Sequence, residues 1–116
     1  MKKIEILKKI ERAGIIAVIR GETAKEAIQS SEAILAGGIQ GIEVTFTVPQ
    51  AEQVIYELHQ RYQEYSEVVL GAGTVLDATT ARIAISAGAQ FIVSPCFDKE
   101  TAKLCNLYQI PYLPDV

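Results

Sequence analysis

The sequence predicts an α/β fold of parallel βα repeats. Short β-branched runs alternate with stretches of helical apolar periodicity, and capping residues and glycines fall at the joins. At 116 residues and 49% hydrophobic content, residues 1–116 hold one core and are too short for two domains.

The leading element is a helix over residues 2–13, with Ile4, Ile6, Leu7 and Ile10 as its apolar stripe and Gly14 as its stop. Residues 15–19 (IIAVI) form a continuous β-branched run, expected as a strand buried on both faces. Thr23 and Glu26 stand at capping-box spacing before a helix that ends at Gly37-Gly38. The second strand is expected over 41–46. Its helix follows from about residue 49 to 62, with Thr47 and Gln50 again at capping-box spacing. The third strand covers 68–70 and runs into Gly71-Ala72-Gly73-Thr74. Asp77 then caps a helix carrying Ala81, Ala84 and Ile85. Residues 91–94 form the fourth strand, 98–108 a helix, and 111–113 the start of a fifth strand. Gly38-Ile39-Gln40-Gly41-Ile42 is echoed 50 residues later by Gly88-Ala89-Gln90-Phe91-Ile92, two βα units on, as suits a repeating barrel.

Composition narrows the function. A net charge of -3 and a pI near 5.1 give no basic field, which argues against a nucleic-acid partner and leaves a small molecule. No apolar run approaches the roughly 18 to 20 residues of a spanning helix. The start Met1-Lys2-Lys3-Ile4-Glu5 has no signal-peptide pattern, so no membrane association and a cytoplasmic location are expected. Cys96 and Cys105 are nine apart, fitting neither a CxxC pair nor zinc-ligand spacing, and His59 is the one histidine. Both cysteines are expected to be small buried or half-buried thiols, and no metal site is expected.

In a parallel α/β sheet, reacting groups collect at the carboxyl ends of the strands. Those ends hold Arg20, the stretch 43–47, Gly73-Thr74 and Ser94-Pro95. Glu43 stands out, because an ionised carboxylate among Ile42, Val44 and Phe46 is costly to desolvate without compensation. Period two puts Glu43, Thr45 and Thr47 on one face and the apolar set on the other, toward helices. Two roles fit Glu43 equally well: a general acid or base with a raised pKa, or a structural ion pair with Arg20 of the adjacent strand. The stretch 71–73 does not extend to GxGxxG, since position 76 is Leu, which argues against dinucleotide binding. Its glycines serve close approach to a ligand or a tight turn. Thr74 offers a hydroxyl to a substrate or to a neighbouring carbonyl.

Four motifs in order, Ile16-Ala17-Val18-Ile19-Arg20, residues 41–49 (GIEVTFTVP), 71–75 (GAGTV) and 87–95 (AGAQFIVSP), resemble the successive signatures of the 2-keto-3-deoxy-6-phosphogluconate (KDPG) / 4-hydroxy-2-oxoglutarate (KHG) aldolases. The similarity runs from about Ile4 to Pro114. It implies a TIM (βα)8 barrel, here represented by about its first five strands, that acts as a homotrimer without metal or organic cofactor. The implied reaction cleaves a 2-keto-4-hydroxy acid into pyruvate and an aldehyde, glyceraldehyde 3-phosphate or glyoxylate, through an imine between a lysine and the C2 ketone. By the resemblance, Glu43 moves the protons. Arg20 and Thr74 line the substrate's carboxylate and keto end, Ser94 belongs to a rim turn at the substrate, and Thr47 stands at a substrate-binding position.

The chain also departs from the family pattern. Thr47 stands where some members carry Arg, which leaves it the role of helix cap, and Asp115 stands where the family continues Pro-Gly. The family's imine lysine lies on the sixth strand in a Lys-Phe-Phe-Pro-like motif, and nothing here corresponds to it. Lys2, Lys3, Lys8, Lys9, Lys25, Lys99 and Lys103 all fall on helices or helix starts, as solvated amines do. The phosphate site that such barrels build after strands seven and eight has no counterpart either. Two readings follow. The chain is the N-terminal part of an aldolase, inactive alone unless another polypeptide supplies the lysine. Otherwise it is a non-catalytic α/β module, flavodoxin-like or a half-barrel, whose open edges favour self-association.

Overall fold

Five helices and five strands alternate in the computed structural model, which describes residues 1–115. Their order is α1 (Lys2–Ala13), β1 (Ile16–Ile19), α2 (Ala24–Ala36), β2 (Gly41–Thr45), α3 (Ala51–Tyr62), β3 (Val69–Gly73), α4 (Ala78–Ala87), β4 (Ile92–Ser94), α5 (Lys99–Leu107) and β5 (Tyr112–Pro114). The strands form one parallel sheet in sequential order, β1-β2-β3-β4-β5. A doubly wound sheet needs a reversal of strand order, so the flavodoxin-like alternative does not hold. Helices α2, α3, α4 and α5 each pack on the next, forming a continuous layer on one face, as in a singly wound barrel.

The main core lies between that layer and the convex face of the sheet. Ile42, Val44, Ala72 and Ile92 are buried there, with Val54, Ile55 and Leu58 of α3 and Ala81 and Ala84 of α4. The concave face is different. Val18 is 46% exposed and Leu113 36% exposed on it, so β1 is buried on its helix side alone, not on both faces as its β-branched run suggested.

Local signals placed most helix ends. The Thr23 hydroxyl accepts from the Glu26 N–H, Asp77 from that of Thr80 and Asp98 from that of Thr101. The Glu26 carboxylate accepts from the Glu22 N–H, one residue beyond the N-cap N–H that an ideal capping box would use. The capping box expected from Thr47 and Gln50 does not form. Gln50 caps α3 in a left-handed conformation, φ 57°, with no side-chain bond, and the helix starts at Ala51, two residues later than expected. Thr47 is not the helix cap, because its hydroxyl bonds instead to that of Thr45 at 2.7 Å. The echo between 38–42 and 88–92 is structural: Gly38 (φ 105°) and Gly88 (φ 124°) adopt positive φ after α2 and α4, where a side chain would be strained.

The cysteines divide. Cys105 is buried, and burial pushes its thiol up to about 11, whereas Cys96 is exposed because it sits on the turn after β4. The thiolate is the nucleophile, so a neutral-pH thiol reagent is expected to label Cys96 in the native chain and Cys105 only after denaturation. Mass spectrometry of the labelled peptides checks this; rapid native labelling of Cys105 would contradict it.

Candidate active site

Register fixes which side chains share the concave face. Residues paired across parallel strands point to the same side, so Val18, Glu43 and Gly71 align, as do Thr45 and Gly73. The strand ends converge on a cleft of about 330 Å³ lined by Glu43, Thr74, Val93, Ser94, Pro95, Leu113, Pro114 and Asp115. Period two therefore oriented Glu43 correctly. Its side chain is half-buried and lies across Gly73, where no side chain stands in the way.

Electrostatics bears on the two roles left open for Glu43. Burial raises its carboxyl above the ordinary value, and the Arg20 guanidinium pulls it back by less. Ion pairs among the described residues include Arg61 with Glu32 and Glu57, and Lys103 with Glu100. None joins Glu43 to Arg20. The structural ion pair is not formed, and the carboxyl keeps the raised affinity for a proton that suits acid–base work.

Thr74 lines the cleft at φ 55°, a left-handed conformation that is unusual for a β-branched residue and costs about 1–3 kcal/mol. Strain of this kind persists where the surroundings enforce it. Here Phe46 N–H bonds to the Gly73 carbonyl at 2.9 Å, and Val75 N–H bonds to the Val93 carbonyl at 3.2 Å, fixing the chain on both sides of Thr74. Ser94 lines the cleft too, but it is buried and its hydroxyl donates to the Cys96 carbonyl at 2.6 Å, bracing the turn. Arg20 and Thr47 are exposed and do not line the cleft; Arg20 reaches the site through its charge.

Two contributors were not singled out in the sequence. Thr45 is buried and donates its hydroxyl to the Ile19 carbonyl at 3.3 Å, so the Thr47 hydroxyl must be the donor in their shared bond. This ties the carboxyl end of β2 to β1 beside Glu43. Its place on the Glu43 face was visible in the period-two pattern. Gly73 is the other: its place at a strand end was visible in the sequence, and the register adds that it lies beside Glu43. All the lysines lie on α1, α2 or α5, and none lines the cleft. Among the described residues no group of three His, Cys, Asp or Glu is placed to hold a metal ion.

Comparison with known proteins agrees with this geometry. The family model for KDPG and KHG aldolase matches residues 6–116. The chain belongs to the KDPG and KHG aldolase family. It is 37% identical over 113 residues to a 2-dehydro-3-deoxy-phosphogluconate aldolase of Treponema pallidum, a match covering 97% of this chain and 52% of that protein. Among solved structures it is similar to the 2-keto-3-deoxy-6-phosphogluconate aldolase of Zymomonas mobilis ZM4 with 3-phosphoglycerate. That match has a TM-score of 0.80 and 32% identity, over 96% of this chain and 51% of that one. It is also similar to the KDPG aldolase of Legionella pneumophila with pyruvate captured at low pH as a covalent carbinolamine. There the TM-score is 0.73 and the identity 31%, over 87% of this chain and 47% of the other. The chain spans about half the length of the curated relatives it matches. Its five parallel strands and their helices are accordingly one part of a TIM-barrel-type aldolase fold.

Proposed function

We propose that this chain supplies the proton-moving carboxylate, Glu43, of a class I aldolase that cleaves a 2-keto-4-hydroxy acid of the KDPG or KHG type. The observation that carries this reading is a half-buried carboxyl with a raised pKa, opening into a cleft at the carboxyl ends of parallel strands. In the proposed cycle a lysine amine adds to the C2 ketone and the carbinolamine loses water to give an iminium. Ionised Glu43 then takes the proton of the C4 hydroxyl. The C3–C4 bond breaks, its electron pair passes into the enamine, and the aldehyde leaves. Glu43 returns the proton to C3, and water releases pyruvate from the imine. A pKa raised toward the working pH serves both halves of that exchange.

Thr74, on the cleft wall, is assigned to the keto-acid end of the substrate, and Ser94 to holding the rim turn in shape. Arg20 contributes positive potential toward the substrate carboxylate, and Thr47 steadies Thr45. The amine comes from outside the cleft residues of this chain, from the rest of the barrel or from another polypeptide. The partly exposed Val18 and Leu113 support the same view, since covering the concave face would bury both.

Intact-mass spectrometry after incubation with pyruvate and borohydride tests this reading. No adduct is expected on the 12.7 kDa chain, and one reduced pyruvate is expected on a longer polypeptide that contains this segment together with an inward lysine. An adduct at 12.7 kDa would move the nucleophile onto a helix lysine and overturn the site assignment. Absence of trapping in every polypeptide containing the segment would remove the aldolase reading.

A further inference from the structure

Strand β3 presents two bare positions, Gly71 and Gly73, on its concave face, and both are buried. Neither has positive φ, so backbone conformation does not require glycine at either place. Space does. A Cβ on Gly71 would lie within 2.5 Å of the Phe91 ring, and a Cβ on Gly73 would lie 2.6 Å from Glu43 Cδ and 2.9 Å from Cγ. Contacts that short force something to move, and at residue 73 the group that must move is the candidate acid–base carboxyl.

The register indicates where it would go. Glu43 is flanked in register by Val18 of β1 and Gly71 of β3. The next inward positions are the end of β1 at Arg20 on one side and Gly73 on the other. The side chain therefore leans over β3 or over β1. We propose that Gly73 is a positioning residue: its missing side chain lets the Glu43 carboxyl lie on β3 in the cleft, clear of an ion pair with Arg20. This rests on the proposed role of Glu43. The charged group acting on the carboxyl is Arg20 after β1, and Asp115 after β5 lines the same cleft. Moving toward Arg20 exchanges a partly desolvated acid for a paired carboxylate, which is a structural group and a poor base.

The test combines a carbon-13 NMR titration of Glu43 with urea unfolding of variants of the full chain. In Gly73→Ala the Glu43 titration midpoint is expected to fall below that of the wild type. The urea midpoint should also fall in Gly73→Ala, and the same substitution in a Glu43→Ala background should cost clearly less, because the clashing group is gone. Gly71→Ala, which meets Phe91 instead, should cost the same with and without Glu43→Ala. If Gly73→Ala does not fold, the Gly73→Ala/Glu43→Ala double variant is expected to recover folding. Equal losses in both backgrounds, a double variant that also fails to fold, or an unmoved Glu43 midpoint in folded Gly73→Ala would overturn the proposal. None of these readouts needs turnover, so a failed pyruvate trap alongside the expected titration and unfolding results would reject the aldolase role and leave the positioning in place.

Discussion

Glu43→Gln is expected to stabilise the folded chain at pH 7 and to lower aldol cleavage by about 10²–10⁴-fold in the assembled enzyme. The two effects share one cause. Folding raises the Glu43 pKa through burial, so the native state holds this proton more tightly than the unfolded chain does. Between the unfolded and folded values the native state binds more protons, and stability falls as pH rises through that window. Below the unfolded value, about 4.3, the carboxyl is protonated in both states and the cost disappears. Above the folded value the cost is complete. Glutamine has nearly the same shape and no charge, so the urea midpoint of Glu43→Gln should exceed that of the wild type at pH 7 and converge on it near pH 4. A variant less stable than the wild type at pH 7 would mean that the ionised carboxylate is paired and stabilising. The loss of activity follows from the proposed role, because glutamine neither takes the C4 hydroxyl proton nor returns one to C3.

Phe91→Ala is expected to cost about 3–5 kcal/mol, a large part of the 5–15 kcal/mol that typically holds a domain together. Phe91 is fully buried and its ring occupies the space above Gly71. The neighbour beneath it has no side chain to relax into the void, so the lost contacts are not recovered. With a slope of about 1–3 kcal/mol per molar urea, the midpoint should drop by about 1 M or more. Gly71→Ala attacks the same contact from below and should lower the midpoint by overpacking. An unchanged midpoint for Phe91→Ala would contradict the packing of β3 described above.

Signals carried within a few residues were legible in the sequence. Thr23 and Asp77 each bond to an N–H three residues on, so type and spacing were sufficient to find them, whereas Asp98, read as the first residue of its helix, is that helix's cap. The facing of Glu43 followed from strand alternation for the same reason. Signals that depend on a neighbouring strand were not legible. Thr47 has the spacing of a cap, yet its hydroxyl goes to Thr45, which is itself held by Ile19 on β1. Gly71 and Gly73 looked like a loop that ended β3 at residue 70, but they continue the ladder against Glu43 and Thr45. Their purpose lies in what rests on them, Phe91 and the Glu43 carboxyl, and strand pairing creates both contacts. Cys96 was misjudged because a thiol's usual preference for burial says nothing of a rim turn.

The most direct test of the central claim is the titration of the Glu43 carboxyl in the wild-type chain, followed by carbon-13 NMR. A midpoint above the ordinary glutamate value of about 4.3 is the predicted result, because desolvation outweighs the attraction of Arg20. A midpoint at or below that value would show Glu43 held as the charged partner of Arg20, a structural carboxylate unsuited to moving protons in the cleft.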